Sequence, residues 1–203
     1  LQPIWSRIAR KCIQGVNSVS SDIRGWRTLF AGAYIADWLL EQNSTKEEYL
    51  QAVMSFERLA AHIQVNDKGV STAGLRGSDR ASKRLQSQDL AALSFSGPDA
   101  GAILNDQKGT GVLGQISGPA QNLGILDENT KRLIGEPGKE FGRLLQDRLD
   151  SQKQQFEQLL LKGKTLGEIS ASEQISKLVL NLVRPEEISE AEADWYTKFV
   201  LQG

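Results

Sequence analysis

The sequence predicts a mainly α fold: a helical protein with a small winged-helix-like segment, its short β-hairpin near residues 125–134. Three observations predict it. Apolar residues recur at helical spacing in the first and last thirds of the chain. Between residues 97 and 142 lie 10 of the chain's 19 glycines, a density that suits short elements joined by tight turns. Across residues 98–134 the order helix, helix, two-stranded hairpin can be read, which is the order of a winged helix-turn-helix.

Taken in order, Ile4, Trp5, Ile8, Ala9, Cys12 and Ile13 fall on one helical stripe, and Gly15 follows as a stop. A Ser-rich link leads to a longer helix with Ile23, Trp26, Phe30, Tyr34 and Trp38 on its apolar face. Gly25 and Gly32 lower the intrinsic propensity of that helix, so tertiary packing must hold it. Thr45 with Glu48 makes a capping box for the next helix, whose apolar face is Tyr49, Val53, Phe56, Leu59, Ala60 and Ile63. Residues 66–77 read as a loop, and Ser78 is placed to cap a short basic helix over 79–85. Pro98 opens a short helix over 98–104. A second runs over 112–123, interrupted at Gly118-Pro119, with Gly124 as its C-terminal cap. Ile125-Leu126 and residues 131–134 then read as the two arms of the hairpin. Phe141, Leu144, Leu145, Leu149, Phe156, Leu159 and Leu160 form the next stripe, broken at Gly163 and Gly167. A helix over 172–182 ends at Arg184-Pro185, and Ser189 with Glu192 makes a second capping box before Trp195, Tyr196, Phe199 and Val200. Three regions follow: helical over 1–66, Gly-rich and winged-helix-like over 67–150, and helical over 151–203. The chain opens at Leu1 rather than Met and stops just after its last helix, which predicts processed ends or missing material.

Composition excludes several functions. Lys and Arg number 24 against 25 Asp and Glu in 203 residues, so there is no globally basic coat. One cysteine, Cys12, leaves neither an internal disulfide nor a Cys-based zinc site, and one histidine, His62, leaves no multi-histidine metal site. No metal and no cofactor is expected. No apolar run approaches the roughly 18 residues of a membrane span; with no signal peptide, a cytoplasmic protein is expected.

The motifs point away from catalysis. Residues 109–114 match GxGxxG, but the stretch before them is polar rather than a buried strand, and Pro119 lies in the following helix. Lys162-Gly163-Lys164-Thr165 resembles the tail of a P-loop without the earlier glycine. His62 has no nucleophile motif beside it, and reads as a buried or capping histidine. The acids Glu186, Glu187, Glu190, Glu192 and Asp194 gather at a helix start, where they suit the dipole as a solvated first turn.

Basic residues concentrate in three places: Arg7, Arg10, Lys11, Arg24 and Arg27; Arg76, Arg80, Lys83 and Arg84; and Lys131, Arg132 and Lys139 on the presumed wing. The last two groups flank the winged segment, and wings commonly touch phosphates. Gln115, Ser117, Gln121 and Asn122 lie on a helix of small and amide residues suited to a groove. The candidate DNA contacts are therefore Arg76, Arg80, Lys83, Arg84, Gln115, Gln121, Asn122, Lys131 and Arg132. The candidate partner interface is Ile4, Trp5, Ile8, Trp195, Phe199 and Val200, apolar residues near the chain ends.

Several segments resemble a group of prokaryotic proteins found among anti-phage defence and restriction-type genes. They run from Arg7-Ile8 through Gly15-Val16-Asn17-Ser18-Val19 and Arg24 to Trp38-Leu39. They continue through Gly77-Ser78-Asp79-Arg80-Ala81, residues 111–119, Leu123-Gly124-Ile125 and Glu136-Pro137-Gly138-Lys139-Glu140-Phe141. The chain departs from the group at Gly32-Ala33, where a bulkier pair is usual. The resemblance implies a non-enzymatic subunit that works beside a nuclease or an ATPase, with no catalytic residues to carry over. The expected function is a non-catalytic accessory subunit of a multi-protein DNA-directed system, for which the sequence leaves open protein partners, double-stranded DNA, or both. A nuclease or nucleotide-binding enzyme subunit and a winged-helix regulator are the alternatives.

Overall fold

A computed structural model describes residues 23–40, 44–68 and 75–201. The first apolar stripe, with Ile4, Trp5, Ile8 and Cys12, lies outside the described residues.

The described chain is mainly helical. α1 (Ile23–Leu39) and α2 (Lys46–Lys68) form the central pair. Gly25 and Gly32 lower the helix propensity of α1, and tight packing against its neighbours holds it. A side chain at Gly32 would stand 3.1 Å from the Phe56 ring, and one at Gly25 would press on Ile116, so both glycines let neighbouring helices approach closely. The Thr45 capping box is present, with Thr45 N–H donating to Glu48 and Glu48 N–H donating to the Thr45 hydroxyl.

α2 is covered on nearly all sides. From Ser55 to Val65 every residue is buried, polar ones included. α3 (Ser78–Ser87), α7 (Lys153–Leu160) and α8 (Ser172–Val183) pack on it. α5 (Val112–Asn122) and α8 pack on α1, and α9 (Glu190–Tyr196) packs on α6 (Gly135–Leu149). One cluster of buried side chains runs from Trp26 to Val200, so all three sequence regions contribute to a single core. Its densest part is aromatic. Trp195 sits 5.4 Å from Phe30 and 4.8 Å from Phe141, ring centre to ring centre, and Tyr196 closes the group.

Several local expectations are corrected. The winged-helix hairpin is not seen. Among the described residues there is no strand, and residues 125–134 make one isolated bridge, Leu126 with Leu133. The reason is local. The arms are bonded to each other, Asp127 N–H to Arg132 O and Ile134 N–H to Ile125 O, both at 2.9 Å, but left-handed residues at Gly124, Lys131 and Gly135 bound them and leave them too short for strands. The helix expected from Pro98 is absent, because three carbonyls of that segment turn to a buried arginine. Ser78 does not cap α3. Gly77 holds that position, and the Ser78 hydroxyl donates to Leu75 O. α5 continues through Gly118-Pro119 without interruption. Its end is as expected, with Gly124 left-handed and the Gly124 and Ile125 N–H groups donating to Gln121 O and Ala120 O.

Candidate functional site

The GxGxxG segment forms the four-residue helix α4 (Gln107–Thr110) and the start of α5. A glycine-rich turn before a helix is an anion site by geometry. Here the anion is internal. Glu57, in the middle of α2 and 1% exposed, places one carboxylate oxygen 2.9 Å from Val112 N and the other 2.8 Å from Gln107 Nε2. α5 has no capping side chain of its own, so Glu57 caps it from across the core. Burial pushes the Glu57 carboxyl up to about 7, against the lowering effects of Gln107, Val112 and Arg58. A Cβ on Gly111 would stand 2.5 Å from Gln107 O and 2.6 Å from the Glu57 carboxylate. Gly111→Ala is therefore expected to cost about 1–3 kcal/mol by overpacking. Gly118→Ala, in the same helix with nothing near the new methyl, should instead stabilise by about 0.5–1 kcal/mol. Paired urea melts of the two variants check this.

Arg58 organises the next segment. Its Nη1 donates to Gly97 O and Ala100 O, its Nη2 to Pro98 O at 2.8 Å, and its Nε to Gln107 Oε1 at 2.6 Å. His62 follows one turn later and is fully buried, with Nδ1 2.8 Å from Arg58 O and the ring against Phe95. Burial lowers its pKa, so the neutral ring is favoured. His62 is thus closed off from any substrate.

The basic candidates separate into two kinds. Arg132 is spent in the fold. Its guanidinium pairs with Asp37, donates to Ser44 Oγ at 2.7 Å, and lies 4.6 Å over the Tyr49 ring. Lys131 donates to Glu128 O within the same turn and, unlike Arg132, makes no ion pair among the described residues. The presumed wing therefore docks on α1 and α2 rather than projecting as a free basic hairpin. Gln115 and Gln121 use their amides on Thr110 O, and on Asp127 O and Glu128 O. Asn122 is exposed.

Around α3 the arrangement differs. Arg76 donates to Thr110 O, Arg80 to Asn105 Oδ1 at 2.7 Å, and Arg84 to Ala102 O; Lys83 is exposed. Three guanidiniums at four-residue spacing thus rest on residues 102–110 through neutral acceptors. None of the four cations makes an ion pair among the described residues. By contrast Arg143, Arg148, Arg184, Lys162, Lys177 and Lys198 are each paired with a carboxylate. Each arginine carries five N–H donors, so most of them remain free.

The apolar end is also reassigned. Trp195 and Val200 are buried in this chain's own core and Phe199 is half-buried against it, so they are not a free interface. Ile4, Trp5 and Ile8 lie outside the described residues. The edge of Trp195 lines a shallow groove of about 360 Å³ between α6 and α9, crossed by the Lys198–Glu140 pair. In the acidic cluster, Ser189 Oγ accepts Glu192 N–H as expected. The Glu192 side chain, however, turns inward to Arg27 rather than completing the cap.

The fold and the site together define a helical protein with Glu57 and Arg58 buried side by side in α2 and a basic ridge over residues 76–84 without ion pairs among the described residues. No group of three or more His, Cys, Asp or Glu among the described residues could hold a metal ion, and no described helix is long and apolar enough to cross a membrane. In comparisons with known proteins, no family model matches the chain, and neither does any curated protein or solved structure.

Proposed function

We propose that this protein is a non-catalytic accessory subunit that holds the phosphate backbone of double-stranded DNA along α3. The observation that carries the reading is the ridge of Arg76, Arg80, Lys83 and Arg84, four cations without carboxylate partners among the described residues. Unpaired guanidiniums are suited to phosphate oxygens, and such contacts give affinity without sequence information. Two further features support a duplex backbone over other nucleic-acid modes. Single-strand binding relies on exposed aromatic platforms, and every described aromatic side chain is buried or half-buried. Gln115 and Gln121 already spend their amides inside the fold, which leaves Asn122 as the one exposed amide among the α5 candidates and weighs against the regulator alternative. The sequence resemblance supports a setting beside a nuclease or an ATPase in a multi-protein defence system.

The test is anisotropy titration of two unrelated duplexes across a salt series. A variant with Arg76, Arg80, Lys83 and Arg84 all changed to Ala should bind both duplexes more weakly by similar factors. Its log–log salt slope should be shallower by about 3–4, near 0.9 for each phosphate no longer neutralised. The control is a Lys162→Ala/Lys177→Ala variant, whose lysines pair with Glu157 and Glu173; it should bind like wild type. Absence of wild-type binding at low salt would overturn the reading, as would an equal weakening in the control.

A further inference from the structure

Glu57 is a buried carboxylate without an ion pair among the described residues, although the charge of its neighbour Arg58 partly offsets its burial. Both of its hydrogen-bond donors, Val112 N–H and the Gln107 amide, are neutral. Arg58, its chain neighbour, sends its guanidinium to the carbonyls of residues 97–100 and to Gln107 Oε1. His62, one turn on, is favoured neutral by burial and bonds Arg58 O. From α3, Arg84 faces Arg58 and His62; from the 97–100 turn, Asp99 faces Arg58. Beside Gln107, the exposed Asp106 caps Gly109 N–H, and Lys108 is exposed. An ionised Glu57 is therefore held by two neutral hydrogen bonds, the start of one helix and the charge of Arg58 without direct contact, inside a packed core.

We propose that Glu57 is a proton-operated latch: protonated, it keeps residues 107–112 and the first turn of α5 closed against α2, and ionised, it favours their release. A protonated carboxyl retains acceptor capacity for Val112 and Gln107 while losing the cost of a buried charge. The direction follows from linkage. Burial raises the Glu57 pKa to about 7 in the closed form, whereas a released, solvated Glu57 titrates in the ordinary carboxylate range. The closed form thus binds the proton more tightly. Its stabilisation is complete below the ordinary range and is lost as pH rises through about 7.

Thr110 O, within the released segment, also accepts from Arg76, two residues before α3. The latch itself does not depend on DNA binding.

The experiment is NMR on the full chain between pH 5 and 8. One measurement is the titration of the Glu57 side-chain carboxyl carbon. The other is amide exchange of residues 107–116, corrected for the intrinsic rate. Wild type should show a carboxyl midpoint near 7. Protection of 107–116 should fall on the order of 50-fold from pH 5 to 8, with α8 unchanged. In Glu57→Gln the pH dependence of protection should vanish. A carboxyl midpoint in the ordinary range would overturn the latch. So would the same pH dependence in Glu57→Gln. The carboxyl titration is read on wild type, and so decides even if the variant fails to fold.

Discussion

Arg27→Ala is expected to cost about 3–5 kcal/mol, the loss seen when one partner of a buried ion pair is removed. Arg27 is fully buried in α1. Its Nε donates to Glu192 Oε1 at 2.9 Å, and its Nη2 to Glu192 Oε2 at 3.0 Å and to Asn181 O at 2.9 Å. One side chain therefore ties α1 to α8 and α9. Removing it leaves the Glu192 carboxylate, 2% exposed, with the more distant Arg148 at 3.8 Å. Burial already pushes the Glu192 carboxyl up, and Arg27 is the main force opposing that rise. Against a total stability of roughly 5–15 kcal/mol the loss is severe. Urea unfolding should show a lower midpoint at unchanged slope. The double variant Arg27→Met/Glu192→Leu should recover most of the loss, because neither charge is then left buried alone. Single variants that each cost under about 1 kcal/mol would show the pair to be solvated.

Trp195→Ala is expected to cost a similar amount, about 3–5 kcal/mol. The indole is 3% exposed and sits among Phe30, Phe141, Tyr196 and Phe199, and its N–H donates to Pro137 O at 3.0 Å. The loss should appear in the isolated chain and be independent of protein concentration. A residue whose work is to hold a partner behaves otherwise: its truncation leaves the isolated chain's melt intact and weakens the complex. Measuring the melt at two concentrations tenfold apart separates the two.

Most of the helices were legible because periodicity and caps are local. Ile23, Trp26 and Phe30 recur at helical spacing, and Thr45 with Glu48 and Gly124 mark a start and an end that the backbone respects. What misled was the reading of α2 as one-sided. A helix enclosed on all faces must bury its polar residues too, and periodicity marks the apolar stripe without saying what covers the rest. Glu57 and Arg58 were therefore missed as site residues. The one available signal was an adjacent acid and base flanked by Phe56 and Leu59 in the apolar middle of the helix. The hairpin failed for a different reason. Ile125-Leu126 and Leu133-Ile134 suit two paired arms, but the left-handed residues Gly124, Lys131 and Gly135 end each arm after a few residues, and only one bridge forms.

The sequence by itself determined that this protein is helical, where most of its helices begin and end, and that its formal charges nearly balance; these follow from short-range propensity, capping and composition. Which charges are spent and which are free was decided by tertiary structure alone. Arg27, Arg132 and Arg84 look alike in the sequence. One is buried on Glu192, one pairs with Asp37 under a docked turn, and one rests on a backbone carbonyl with donors to spare. A guanidinium's availability depends on which carboxylate the fold brings within reach, and those partners lie 165 and 95 residues away along the chain.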